Sequence, residues 1–255
     1  MTVLAIIPAR RGATRLPDKP LRLLGGSPLI LRVWQRVLGL GIADRVVVAT
    51  DDVAVRDIIE TAGGVAVMTR PDHPSGTDRV AEVARLPAFR DADVVLNVQG
   101  DEPFMDELAV RGAVEVVTSG QAPIGTASVP ADIAALSSPD SVKVVCDDRG
   151  RALYFSRAPI PHLRDPADAP LRDTRVRLHL GIYAYTPDAL QAWVALPVHP
   201  LEQIERLEQL RPLAAGLAIG VATAAPVAVG GIDTEADLLR ANAHWDSIHV
   251  VRSPA

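Results

Sequence analysis

Short apolar runs rich in β-branched residues recur along the first half of the chain, each separated from the next by a segment with helical periodicity. Val3–Ile7 (VLAII), Arg45–Ala49, Val65–Met68 and Asp93–Val98 (DVVLNV) have the length and composition of strands. Between and after them, Pro28–Leu38, Val53–Thr61, Thr77–Leu86 and Asp106–Thr118 place apolar residues at helical spacing. VLAII and VVLNV lack apolar/polar alternation, so both faces of those strands need cover, which is the condition of a parallel sheet between helices. The expected class is α/β, with a mostly parallel sheet as the middle of three layers.

From about residue 123 the rhythm changes. IGTASV, VKVVCD, ALYFSR and RVRLHLGIYAY follow one another with little helix between them, predicting antiparallel or mixed sheet, a β-rich insertion. Pro161–Pro170 (PHLRDPADAP) reads as an exposed, mobile loop. Helix is expected again over Pro200–Arg211, ended by Pro212, and after Asp233. With no Ser/Gly linker and no repeat, 1–255 reads as a single domain in three parts, 1–122, 123–199 and 200–255.

Charge narrows the partners. Twenty-six basic against 31 acidic residues give a net charge of −5, so no global basic field exists for nucleic acid or an anionic membrane, and any anion site must be local. The single cysteine, Cys146, cannot form an internal disulfide, the start MTVLAIIPARR lacks a charged stretch ahead of an apolar one, and no apolar run approaches the roughly 20 residues that span a bilayer. A cytoplasmic location is expected.

Ligands of open parallel sheets bind beyond the carboxyl ends of the strands, and the first strand-to-helix connection is the usual phosphate cradle. Here it is Pro8–Pro20, PARRGATRLPDKP, where Arg10, Arg11, Arg15 and Lys19 face one carboxylate, Asp18. A polyphosphate ligand explains four such cations in an acidic chain; the alternative is a solvated loop answering nearby acids. Lysine occurs only at positions 19 and 143, the other basic residues being arginine. A compact ammonium suits phosphate. With Gly12 as its only glycine the loop matches neither dinucleotide nor P-loop fingerprint. Gly39-Leu40-Gly41, behind a helical segment, reads as a helix end.

Other positions carry chemistry at their own spacing. QGDEP places Asp101 at the carboxyl end of an apolar strand, where a carboxylate can hold a hard cation such as Mg²⁺. Asp233, after Gly230-Gly231, reads first as the N-cap of the last helix. Ser75-Gly76 suits either an ordinary turn and cap or a close backbone approach to a ligand, with Arg79 one turn into the following helix. Cys146, in an apolar strand, reads as a small buried hydrophobe.

The runs IPARRGATRLPDKPL, ATDD, HPSGTDR, NVQGDEP, YFSRAPIP, LHLGIYAY, LEQIERLEQLR and GIDTEADL, in this order from residue 7 to residue 238, resemble the 3-deoxy-manno-octulosonate (Kdo) cytidylyltransferases. The resemblance implies a nucleotide-diphospho-sugar-transferase-like sheet, a homodimer, and Mg²⁺-dependent transfer of CMP from CTP to Kdo in lipopolysaccharide biosynthesis. It assigns the metal to Asp101 and Asp233, and the nucleotide to Pro8, Ala9, Arg10, Arg15, Lys19, Ser75, Gly76 and Arg79. Asp101, Asp233, Lys19 and Arg15 become the catalytic group. The sugar acid falls to Gln99, Arg157, His179, Tyr183, Glu208 and Gln209, with Arg157 gripping its carboxylate. On a regular strand His179 and Tyr183, four residues apart, face the same side; otherwise Tyr183 is core and Glu208 pairs with Arg211 on a solvated helix face. Two positions depart from the family pattern: His162 replaces an aromatic residue after APIP, and Asp78 replaces Glu after SGT.

Overall fold

The computed structural model describes residues 1–12, 15–131, 133–225 and 230–250. The chain forms two compact units and passes between them more than once: one contains 2–91, 97–105 and the C-terminal segment, the other 92–96 and most of 106–225.

In the first unit the strands Val3–Ala9, Arg45–Thr50 and Val65–Met68 are parallel, with Ile7 opposite Val48 and Thr50 opposite Met68. All seven residues of Val3–Ala9 are buried, as its unbroken apolar sequence requires. Val65 and Met68 are exposed, because Val65–Met68 ends the order of the sheet. The helices Leu29–Leu40, Val53–Thr61 and Gly76–Ala84 lie near their sequence-predicted places. Asp52 caps the second by accepting from Val55 N at 3.1 Å. Gly41, at φ 62°, ends the first, so Gly39-Leu40-Gly41 is a helix terminus as read from the sequence.

The second unit carries the change of rhythm. Ile124–Pro130 pairs antiparallel with Arg177–Tyr185 and parallel with Ile219–Thr223, while Lys143–Cys146 runs antiparallel to both Arg177–Tyr185 and Ala152–Ser156. The strand Val94–Asn97 lies on the other side of Arg177–Tyr185. The helix Glu107–Thr118 packs so closely on this sheet that a Cβ at Gly125 would stand 2.1 Å from the Ala113 carbonyl oxygen.

Two segments correct the sequence reading. The helix expected over Pro200–Arg211 is two short ones, Pro200–Glu205 and Leu210–Ala214, because Arg206 turns left-handed (φ 55°) and ends the first. Pro212 lies inside the second; in a first turn the missing N–H has no intrahelical partner to lose. Within Pro161–Pro170, the segment Pro166–Asp168 is a 3₁₀ turn capped by Asp165 and leads into the helix Ala169–Asp173, though most of these residues are exposed. Among the described residues no helix is long and apolar enough to cross a membrane.

Gly125→Ala sets a methyl group against a main-chain carbonyl and is expected to destabilise the protein by about 1–3 kcal/mol, read as a lower denaturation midpoint. Unchanged stability would contradict the helix–sheet contact.

Candidate functional site

The first strand ends at Ala9 and the chain enters the basic loop. Arg10 is exposed there. Arg11 pairs with Asp18 (2.7 Å) and reaches Asp52 (3.3 Å), so one of the loop's cations answers two nearby acids. Lys19 behaves differently. It opens the 3₁₀ turn Lys19–Leu21, keeps 14% of its side chain exposed, and donates from Nζ to Asp101 (2.6 Å) and to Asp233 (2.7 Å). Arg15 approaches the second oxygen of Asp233 at 3.1 Å. Burial opposes the Lys19 charge, but the two carboxylates more than offset it and hold the ammonium above the usual lysine range. Charge-assisted hydrogen bonds contribute roughly 1.5–3 kcal/mol each, which is why two suffice for a side chain that keeps some contact with water.

Local structure delivers both aspartates. Val98 N donates to Ile6 O (3.2 Å), tying NVQGDEP to the first strand, and a Cβ at Gly100 would lie 2.7 Å from Pro8 O, so that close approach requires glycine. Gln99 is half-buried in the turn, its carbonyl accepting from Glu102 N at 3.3 Å. Asp233 is not the N-cap of the last helix, Glu235–Val250. Thr234 takes that part, accepting from Asp237 N (3.2 Å), while Asp237 accepts from the main-chain N–H groups of Asp233 and Thr234 (3.2 and 2.8 Å). The Asp233 carboxylate is thereby released from capping and available to Lys19 and Arg15.

Sequence reasoning missed Glu102. Burial, then the charges of Asp101 and Asp233, push its carboxyl up to about 7, with Lys19 opposing. A Cβ at Gly231 would fall 2.7 Å from its Oε1. Its adjacency to Asp101 in GDEP was the one signal available. Among the described residues no cluster of three or more His, Cys, Asp or Glu is arranged to hold a metal ion. Two hard carboxylates alone suit a cation that takes its other ligands from phosphate and water.

Ser75 caps the helix Gly76–Ala84, and its hydroxyl donates to Asp78 at 2.7 Å, so the shorter acid still closes the cap. Gly76 lies against Pro8, which brings HPSGTDR to the end of the first strand. Arg79 is buried and donates to Asp51 (2.9 Å) and Thr69, so its guanidinium braces ATDD from within.

The remaining sequence-predicted residues belong to the second unit. His179 and Tyr183 share a face with ring centroids 5.3 Å apart, but not on a regular strand. A bulge falls between Leu180 and Tyr183, so the partners of His179 and Tyr183 are Ser128 and Thr126, two residues apart. Thr126 Oγ1 fills the bulge, donating to the Ile182 carbonyl (2.7 Å) and lying 2.9 Å from His179 Nε2. His179 keeps part of its surface open, yet burial among Phe155, Thr126 and Tyr183 holds its ring down to about 3. Tyr183 is buried, its hydroxyl without a hydrogen-bond partner among the described residues, and burial, Tyr185 and Glu208 raise it well above the usual range. Glu208 is half-buried and Gln209 buried, at the turn before the helix Leu210–Ala214. Glu202 clasps Arg211 at 2.6 and 2.7 Å. Arg157 is half-buried at the end of the strand Ala152–Ser156.

A parallel sheet whose first strand opens into a cationic loop, with two carboxylates meeting at its lysine, is the framework of a nucleotide-handling α/β protein. The cytidylyltransferase family profile matches residues 4–219. A 3-deoxy-manno-octulosonate cytidylyltransferase of Gemmatimonas aurantiaca is 64% identical over all of this chain and 98% of its own length. One of Syntrophotalea carbinolica is 45% identical over 96% and 98% of the two chains. The solved structure of a CMP:2-keto-3-deoxy-manno-octonic acid synthetase complexed with CTP superposes with a TM-score of 0.89 at 39% identity, covering 97% of this chain and 100% of that one. A 4-diphosphocytidyl-2C-methyl-D-erythritol synthase of Anaerococcus prevotii, 15% identical with a TM-score of 0.61 over 96% and 98% of the chains, shares the fold. The chain belongs to the cytidylyltransferase family and, within it, to the 3-deoxy-manno-octulosonate cytidylyltransferases.

Burial of His179 gives a pH dependence of defined sign. From about 6.5 down to about 3 the unfolded chain holds a proton that the folded chain refuses, so this contribution to stability is complete above 6.5 and lost as pH falls. His179→Asn is expected to flatten the slope of stability against pH between 4 and 6 by up to one proton, measured by denaturant titration at each pH. An unaltered slope would contradict a neutral, buried ring.

Proposed function

We propose that this chain joins CTP to Kdo, forming CMP-Kdo and pyrophosphate. The observation that carries the reading is the meeting of Lys19 with Asp101 and Asp233 at the end of the first strand. The relatives named as Kdo cytidylyltransferases support the choice of substrates. In this reaction the anomeric hydroxyl of Kdo attacks the α-phosphorus of CTP, the bond to the β-phosphate oxygen breaks, pyrophosphate leaves, and the hydroxyl proton passes to solvent.

Arg10, Arg15 and Lys19 neutralise the triphosphate and the departing pyrophosphate. The Ser75-Gly76 turn and the main chain at Pro8 and Ala9 receive the nucleoside, while Arg79 holds that wall in place through Asp51. Asp101 and Asp233 are the residues for Mg²⁺, which when bound polarises phosphate oxygens and the attacking hydroxyl. Gln99, Arg157, His179, Tyr183, Glu208 and Gln209 receive the sugar acid. The unpartnered hydroxyl of Tyr183 is a buried group that a polyol can satisfy. Fixing two substrates in line supplies much of the remaining acceleration. We further propose that the enzyme is a cytoplasmic homodimer serving lipopolysaccharide synthesis.

The test is release of pyrophosphate by purified protein with CTP, Mg²⁺ and Kdo, with each component omitted in turn and a sialic acid offered instead of Kdo. Release that needs all three supports the proposal; release with the sialic acid alone overturns the sugar assignment. Asp101→Ala is expected to lower kcat about 10²-fold or more with the fold intact by circular dichroism, and normal turnover would remove Asp101 from the site. Lys19→Ala is expected to raise KM for CTP more than KM for Kdo, and unchanged constants would leave it a structural bridge between the two aspartates.

A further inference from the structure

The chain's second lysine, Lys143, is fully buried at the start of the strand Lys143–Cys146. An ammonium has three protons to place, and burial without partners is costly. Here every proton goes to the main chain: the carbonyls of Ser138 (2.8 Å), Ser141 (2.6 Å) and Arg157 (2.5 Å). Two of those carbonyls belong to a turn that also holds the Arg157 side chain, and the third is Arg157's own. Within the 138–141 turn, Pro139 accepts from Nη1 of Arg157 at 2.8 Å, while Nε donates to the Glu205 carbonyl at 2.8 Å and Nη2 reaches the Arg206 carbonyl at 3.5 Å. The Glu205 carboxylate takes the Arg157 main-chain N–H (2.9 Å) and the Ser156 hydroxyl (2.6 Å). Of the five guanidinium protons these contacts use three, leaving one on each terminal nitrogen for an anion.

We infer that Lys143 is a positioning residue for anion recognition: it pins both the turn that carries the Pro139 carbonyl and the main chain of Arg157, so the guanidinium fork is fixed before the substrate's carboxylate arrives. Filling space alone would call for an apolar side chain at a fully buried position. A charged one whose three protons all go to the main chain around one arginine sets geometry. The inference rests on the reading that Arg157 receives the carboxylate of the sugar acid.

Initial rates of the wild type, Lys143→Met and Lys143→Gln, with Kdo and CTP varied separately, test it. Lys143→Met keeps the length of the side chain and removes its donors. Its KM for Kdo is expected to rise about tenfold or more with KM for CTP within about twofold, the split that marks a loss confined to one substrate. An unchanged KM for Kdo, or an equal rise for both substrates, overturns the inference. If Lys143→Met no longer binds CTP and so has lost its fold, Lys143→Gln, which keeps a polar group and two donor protons, decides: a rise of about threefold for Kdo alone supports the inference, and wild-type constants overturn it. A wild type that ignores Kdo overturns the functional reading instead, a result the variants cannot produce.

Discussion

One ammonium between two carboxylates organises the first unit. Lys19 is 82 residues from Asp101 and 214 from Asp233, so its two short contacts draw three distant parts of that unit to a single point. Two aspartates at such a distance from one cation would repel each other without it, and the cation would suffer from burial without them. Each neighbouring feature serves this convergence. Gly100 lets the acidic turn press against Pro8, and the Thr234–Asp237 cap leaves the Asp233 carboxylate free. The raised carboxyl of Glu102 is a by-product, an acid first buried and then held where two others already stand.

The apolar strands, their helices and the switch to mixed sheet near residue 123 were legible because burial on both faces leaves a local trace in composition. So was the basic loop, because four cations in a short stretch of an acidic chain need no third dimension to be noticed. The capping of the last helix was less so: Asp233 and Thr234 are both good N-caps, and only the reach of Asp237 decides between them. The break at Arg206 carries no glycine to announce it, since an arginine there takes the left-handed conformation. His179 and Tyr183 share a face as the sequence suggested, but through a bulge closed by Thr126, a partner about fifty residues away that no local pattern reveals.

The second unit uses a different economy. Where the first concentrates side-chain charge, the surroundings of Arg157 are built mostly from main-chain carbonyls, with Glu205 as the acid, and His179 and Tyr183 stand in a cluster with Phe155, Tyr185 and Trp193. Carbonyls hold a cation without cancelling its charge, leaving it able to attract an anion. The contrast fits two substrates of different chemistry, a polyanion carried by loop cations and a polyol bearing a single carboxylate.

Asp101 and Asp233 are proposed to act together on a divalent metal bound with CTP. Anomalous diffraction from crystals grown with CTP and Mn²⁺ addresses this directly. The expected map has a manganese peak within bonding distance of both carboxylates and of triphosphate oxygens, with Lys19 on the phosphates. A peak held by neither aspartate, with Lys19 still bridging them, would contradict it.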